Sequence, residues 1–88
     1  MVSGAEVEGS VLSPGVMLHS YSRVVNSVIF DGVDVARNAR IENAIIDKYV
    51  RVDEGATVGV DRERDVARGF EVTENGVTVV PKGKRVEA

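Results

Sequence analysis

Few residues in this 88-residue chain could do chemistry. His19 is the only histidine and there is no cysteine. A histidine can act as general base in acyl transfer, taking a proton from the acceptor beside a pantetheine groove. A zinc-like hydration centre needs three imidazoles on one ion, and one histidine per chain cannot supply that set with the usual spacing, even in a trimer. Without cysteine there is neither a thiolate metal site nor a disulfide framework. Acids are more plentiful, but Glu6, Glu8, Asp34, Asp53 and Glu54 fall on scattered outward positions. Solvation is reason enough for them there. No Gly-rich loop leads into a helix, so no phosphate cradle is indicated. Residue chemistry alone stops at a structural or regulatory scaffold, with no catalytic residue and no metal ligand.

The elements that must position these residues are written in a repeat. Cut before Val7, Val24 and Ile41, the chain gives three pieces of 17 residues, and Val58 opens a fourth. Aliphatic residues keep register down the columns: Val7, Val24, Ile41 and Val58; Val11, Val28 and Ile45; Leu12, Ile29 and Ile46. Val16, Val33 and Val50 form another column, as do Leu18, Val35 and Val52, and a small-residue column runs through Ala5, Ser22, Ala39 and Ala56. Residues 1–6 fit the same scheme, with Met1 over Leu18 and Ser3 over Ser20, and read as the tail of an earlier unit. Such self-similarity is interpreted before local propensity.

Each unit divides into steps of six, six and five residues, with an aliphatic first and a small or branched residue fifth. That spacing excludes the period near 3.6 of an amphipathic helix. It is the hexapeptide pattern of β-helices, where three steps close one triangular turn and inward residues stack at strand spacing, about 4.8 Å. The fold expected is all-β: a left-handed parallel β-helix with 17-residue coils, the handedness being implied by resemblance to known hexapeptide proteins. Every apolar column is expected inside the prism. Val and Ile dominate the apolar residues, with two Phe, two Tyr and no Trp, as suits a narrow core of stacked layers.

Coils are expected over 1–60 and a cap of the same domain over 61–88. The repeat is expected to stop at Gly59. Asp61 is an N-cap signal for a short helix at 61–68, with Glu63 and Asp65 in its first turn. Phe70, Val72, Val77 and Val79 then alternate around Asn75-Gly76, which predicts a hairpin with a type I′ turn. Lys84–Ala88 reads as a loose tail. The cap would cover strand edges at the end of the prism. The net charge of −3 offers no basic face to nucleic acid or to an anionic membrane. No signal peptide and no apolar run near ~20 residues is present, so a cytoplasmic location is expected.

The wording of particular stretches carries a resemblance. S-V-L-S-P-G-V at 10–16, H-S-Y-S at 19–22, S-V-I-F-D-G-V at 27–33 and A-I-I-D-K at 44–48 are part of it. G-A-T-V-G-V-D-R-E-R-D at 55–65 and R-G-F-E-V-T-E-N-G-V-T-V-V-P-K-G at 68–83 complete it. Together they resemble the C-terminal β-helix domain of bacterial ADP-glucose pyrophosphorylase, the glucose-1-phosphate adenylyltransferase family. The resemblance implies an enzyme making ADP-glucose and pyrophosphate from ATP and glucose 1-phosphate with Mg²⁺, for glycogen synthesis. Its catalysis would lie in an N-terminal domain not represented here, leaving this piece catalytically silent. It also implies a homotetramer, contact with that N-terminal domain, and control by phosphorylated metabolites. The family's basic effector positions fall on Lys48 and Lys82; Arg40 and Arg51 are weaker candidates, chosen for the face they would share and not for a motif match. Lys stands where some relatives have Arg, which keeps charge and loses the bidentate fork.

A different class remains open. A stand-alone hexapeptide protein, either an acyltransferase using His19 or a structural trimer, would share the fold. So would the β-helix of another sugar-phosphate nucleotidyltransferase.

Overall fold

The first aliphatic of each six-residue step turns inward and its neighbours form a two- or three-residue strand. In the computed structural model, which describes residues 4–88, three such strands make each coil. Coil one holds β1 (Glu6–Glu8), β2 (Val11–Leu12) and β3 (Met17–Leu18). Coil two holds β4 (Arg23–Val25), β5 (Val28–Ile29) and β6 (Asp34–Val35). Coil three holds β7 (Arg40–Glu42), β8 (Ala44–Ile46) and β9 (Arg51–Val52), and β10 (Thr57–Val58) opens coil four. Each strand pairs in parallel with its equivalent one coil away, as Val24 with Val7 and Ile41. The result is a β-solenoid whose three faces are parallel sheets. Ile29, Ile41, Ile46, Val35, Val52 and Val58 fill its axis at 0% exposure. The matches proposed for Met1 and Ser3 lie outside the described residues.

Corners demand left-handed backbone, and asparagine or glycine supplies most of it. Asn26 and Asn43 hold φ of 47° at one corner, within the tolerance of a short polar side chain. Tyr21 (φ 63°) and Tyr49 (φ 59°) do the same at the other two corners, where a bulky residue is unusual. At the five-residue step a serine replaces a missing backbone partner. Ser27 Oγ accepts from Ala44 N–H at 3.2 Å and donates to Val25 O at 2.8 Å. Ser10 makes the equivalent contacts with Ser27 N–H and Glu8 O.

That shortened step corrects one expected column. Val11, Val28 and Ile45 face outward, with Val11 66% and Ile45 37% exposed. One residue fewer lets the small fourth residue (Ser27, Ala44) take the inward place, so the next side chain points to solvent.

The repeat does not stop at Gly59; it is interrupted. Between β10 and coil four's remaining strands lie α1 (Arg62–Ala67) and β11 (Glu71–Val72), after which come β12 (Thr78–Val80) and β13 (Arg85–Val86). β12 pairs in parallel with β8, Val80 against Ile46, and β13 with β9, Val86 against Val52. Those partners are 34 residues apart rather than 17, so the insertion is one repeat length and leaves the register unchanged. Lys84–Ala88 is therefore no loose tail: Val86 is fully buried. Lys84 takes the fourth-coil place of the Val16–Val33–Val50 column, its carbonyl accepting from Arg51 N–H at 3.0 Å. The Lys84 side chain itself is exposed.

The helix begins as expected, with the Asp61 side chain accepting from Arg64 N–H at 3.2 Å. β11 pairs antiparallel with β12, forming the hairpin, but its loop is not the two-residue turn expected. Thr73 N–H donates to Val77 O and Gly76 N–H to Thr73 O, both at 2.9 Å. Of residues 74–76 only Gly76 has positive φ, so Asn75 does not take the left-handed place a type I′ turn requires. Phe70, 6% exposed, belongs to the core cluster at this end.

Candidate functional site: a cationic corner

Lys48 and Lys82 occupy the same corner of the prism on successive coils. Ile46-Asp47-Lys48-Tyr49 and Val80-Pro81-Lys82-Gly83 align through the pairing of Val80 with Ile46, and Gly83 N–H donates to Lys48 O at 3.0 Å. Sequence distance hides this, because the insertion separates two adjacent steps. Both lysines are exposed, and neither forms an ion pair with a described residue.

Tyr49 builds the floor of the corner. Its left-handed backbone turns the ring across Gly32 one coil below, where a Cβ would stand 2.4 Å from Tyr49 Cδ1. The Lys82 ammonium lies 5.8 Å from the ring centroid, within range of cation–π attraction. The chain offers here two ammonium groups from neighbouring coils, one seated on an aromatic face. Chemically, that is an anion-binding arrangement.

The other two candidates are placed differently. Arg51 lies on the sheet that leaves this corner, three residues after Lys48, but its charge is already engaged. It reaches Asp34 at 3.4 Å and Asp53 at 3.3 Å. Asp53 also accepts from Arg85 Nε at 2.9 Å, so this face carries a charge ladder across three coils. Arg40 stands on another sheet beside Arg23, paired with Glu42 at 3.4 Å. The structure thus joins Lys48 with Lys82, sets Arg51 on the adjoining face, and separates Arg40 from them. His19 is half-exposed and bonds Asp34 through Nε2 at 2.7 Å. The acids expected to be merely solvated are outward, yet Asp34 and Asp53 hold the ladder together.

Sequence reading missed Tyr49 and Asp65. Tyr49 had a signal: it follows I-I-D-K at the step where other coils place glycine. Asp65 is 1% exposed and accepts from Gly59 N–H at 2.8 Å, Thr78 Oγ1 at 3.1 Å and Arg68 Nη2. It ties the insertion to the prism. A Cβ at Gly59 would fall 1.7 Å from Glu42 O, so only glycine allows the close approach from which this knot starts. No helix among the described residues is long and apolar enough to cross a membrane.

Comparison with known proteins agrees with this architecture. The chain is 59% identical over 87 residues to the glucose-1-phosphate adenylyltransferase of Bifidobacterium adolescentis, covering 99% of this chain and 21% of that protein. The protein of the same name from Arthrobacter sp. is 54% identical over 86 residues, 98% of this chain and 18% of its own length. That from Deinococcus radiodurans is 49% identical over 83 residues, 94% and 20%. The chain spans about a fifth of the length of these relatives, at their C-terminal end. A family model described as GlmU-like, C-terminal hexapeptide matches residues 1–80, and the chain belongs to that family.

Proposed function

We propose that this chain is the C-terminal regulatory and oligomerisation domain of a glucose-1-phosphate adenylyltransferase. The whole enzyme would make ADP-glucose and pyrophosphate from ATP and glucose 1-phosphate for glycogen synthesis. Its Mg²⁺ and ATP would be held by the N-terminal part that relatives possess and this chain does not span. Among the described residues no group of three or more His, Asp or Glu is placed to hold a metal ion. The chain's own contribution is contact and control, in a homotetramer and against its N-terminal catalytic domain.

The observation that carries the reading is the 59% identity over 99% of the chain. The corner supports the regulatory part. Two ammonium groups on adjacent coils repel each other until an anion neutralises both, so a phosphorylated metabolite binding there gains from both at once. Such a ligand regulates only if it favours one conformation of the whole enzyme over another. The outward apolar column of Val11, Val28, Ile45 and Val79 supports a packing role.

The test is activator response in the full-length enzyme, read as pyrophosphate release. Lys48→Glu and Lys82→Glu each weaken activation at least tenfold, roughly 1.4 kcal/mol, and leave unactivated turnover intact. Unchanged activation in both variants removes the site.

A further inference from the structure

Arginines on the coils are almost all neutralised. Arg23, Arg40, Arg51 and Arg85 each lie within 4 Å of a carboxylate. Arg37 is the exception among the described residues. Its guanidinium lies instead 5.4 Å from the centroid of the Tyr21 ring. Tyr21 is the second tyrosine held left-handed, at φ 63°, a conformation costing about 1–2 kcal/mol for an L-residue.

The construction repeats the one at Lys82 and Tyr49. In both places the cation immediately precedes the residue that follows the tyrosine's column onto the next coil. Asn38 N–H donates to Ser20 O at 3.2 Å, as Gly83 N–H donates to Lys48 O. The two corners lie at opposite ends of the strands of the sheet β3-β6-β9-β13.

Beside Arg37 is a shallow, solvent-open cavity of about 390 Å³ lined by His19, Ser20, Ala36, Arg37, Arg51 and Glu54. Asp34 and Asp53 take up Arg51, and Asp34 takes up His19 Nε2. Two opposite charges are left, Arg37 and Glu54. They stand on successive coils, with Gly55 N–H donating to Arg37 O at 3.0 Å, yet their side chains form no ion pair.

We propose that this cavity binds a small oxyanion that also carries hydroxyl groups. The Arg37 fork takes the oxyanion, the Ser20 hydroxyl adds a donor, and the Glu54 carboxylate accepts from a ligand hydroxyl. The site is independent of the Lys48–Lys82 corner and stands whether or not that corner binds an effector.

The test is an amide and arginine side-chain NMR titration of the full-length protein with inorganic phosphate, glycerol 3-phosphate and glycerol. Saturable shifts are expected at Arg37 Nε–H and at the Ser20 and Glu54 amides with both phosphates and not with glycerol. Arg37→Ala abolishes them, and Arg37→Lys weakens binding about tenfold through loss of the fork. Glu54→Gln removes the preference for glycerol 3-phosphate over inorganic phosphate. Lys48→Glu leaves all of this unchanged. The same spectra show whether each variant is folded. Absence of saturable shifts at this corner overturns the proposal. So does their persistence in Arg37→Ala, or their loss in folded Lys48→Glu, which would assign them to the other corner.

Discussion

A carboxylate at 1% exposure needs partners, and Asp65 has them in Gly59 N–H, Thr78 Oγ1 and Arg68 Nη2. Breaking a buried pair on one side leaves the other charge stranded, at about 3–5 kcal/mol. Arg68 keeps 19% exposure, so the lower part of that range applies. Asp65→Asn is expected to cost about 3 kcal/mol in urea unfolding, whereas a cost below about 0.5 kcal/mol would mean that the knot is ornamental. Sequence reading placed Asp65 in the first turn of the helix, where an acid suits the dipole. Burial came from the folding of the insertion onto coil four, which local pattern does not reveal. Tyr49 offers a second residue test. Tyr49→Asn relieves left-handed strain and should stabilise the chain by up to about 1 kcal/mol while weakening anion binding at the Lys48–Lys82 corner. A stability gain with unchanged anion binding would show that the ring does not serve the site.

At the scale of elements, coils one to three were legible because 17-residue columns repeat without interruption. Coil four was not, since the helix and β11 enter between β10 and β12 and shift the count by a full repeat. V-V-P-K-G-K-R-V at 79–86 does echo I-I-D-K-Y-V-R-V at 45–52, and that echo was the available signal. The outward Val11–Val28–Ile45 column was misplaced for a different reason. Apolar type alone cannot tell which face a two-residue strand presents when a step is one residue short. The closing strand gives a direct check. Val86→Asp buries a charge against Val52 and is expected to cost about 3 kcal/mol or more, against almost nothing for Val66→Asp at a position 55% exposed. Equal, small effects would return residues 84–88 to the status of a tail.

Over the whole molecule, the prism carries a charge ladder on one face, an apolar column on another and cations at two corners. The family was legible from the run of motifs; that Lys48 and Lys82 share a corner was not, because the insertion separates their steps, nor was Arg37 with its cavity, because only coil stacking lays residue 37 over the Tyr21 ring. If the apolar column is a packing surface, Val11→Asp with Ile45→Asp lowers the assembly state of the full-length protein in light scattering, and an unchanged particle mass excludes that face. The most direct test of the central claim is the intact mass of the natural protein that carries this segment, captured from its source with an antibody to it. A chain about five times this length is predicted, since the matched stretch is 21% of a relative. A natural product near 9.4 kDa would contradict the adenylyltransferase reading and leave a stand-alone prism.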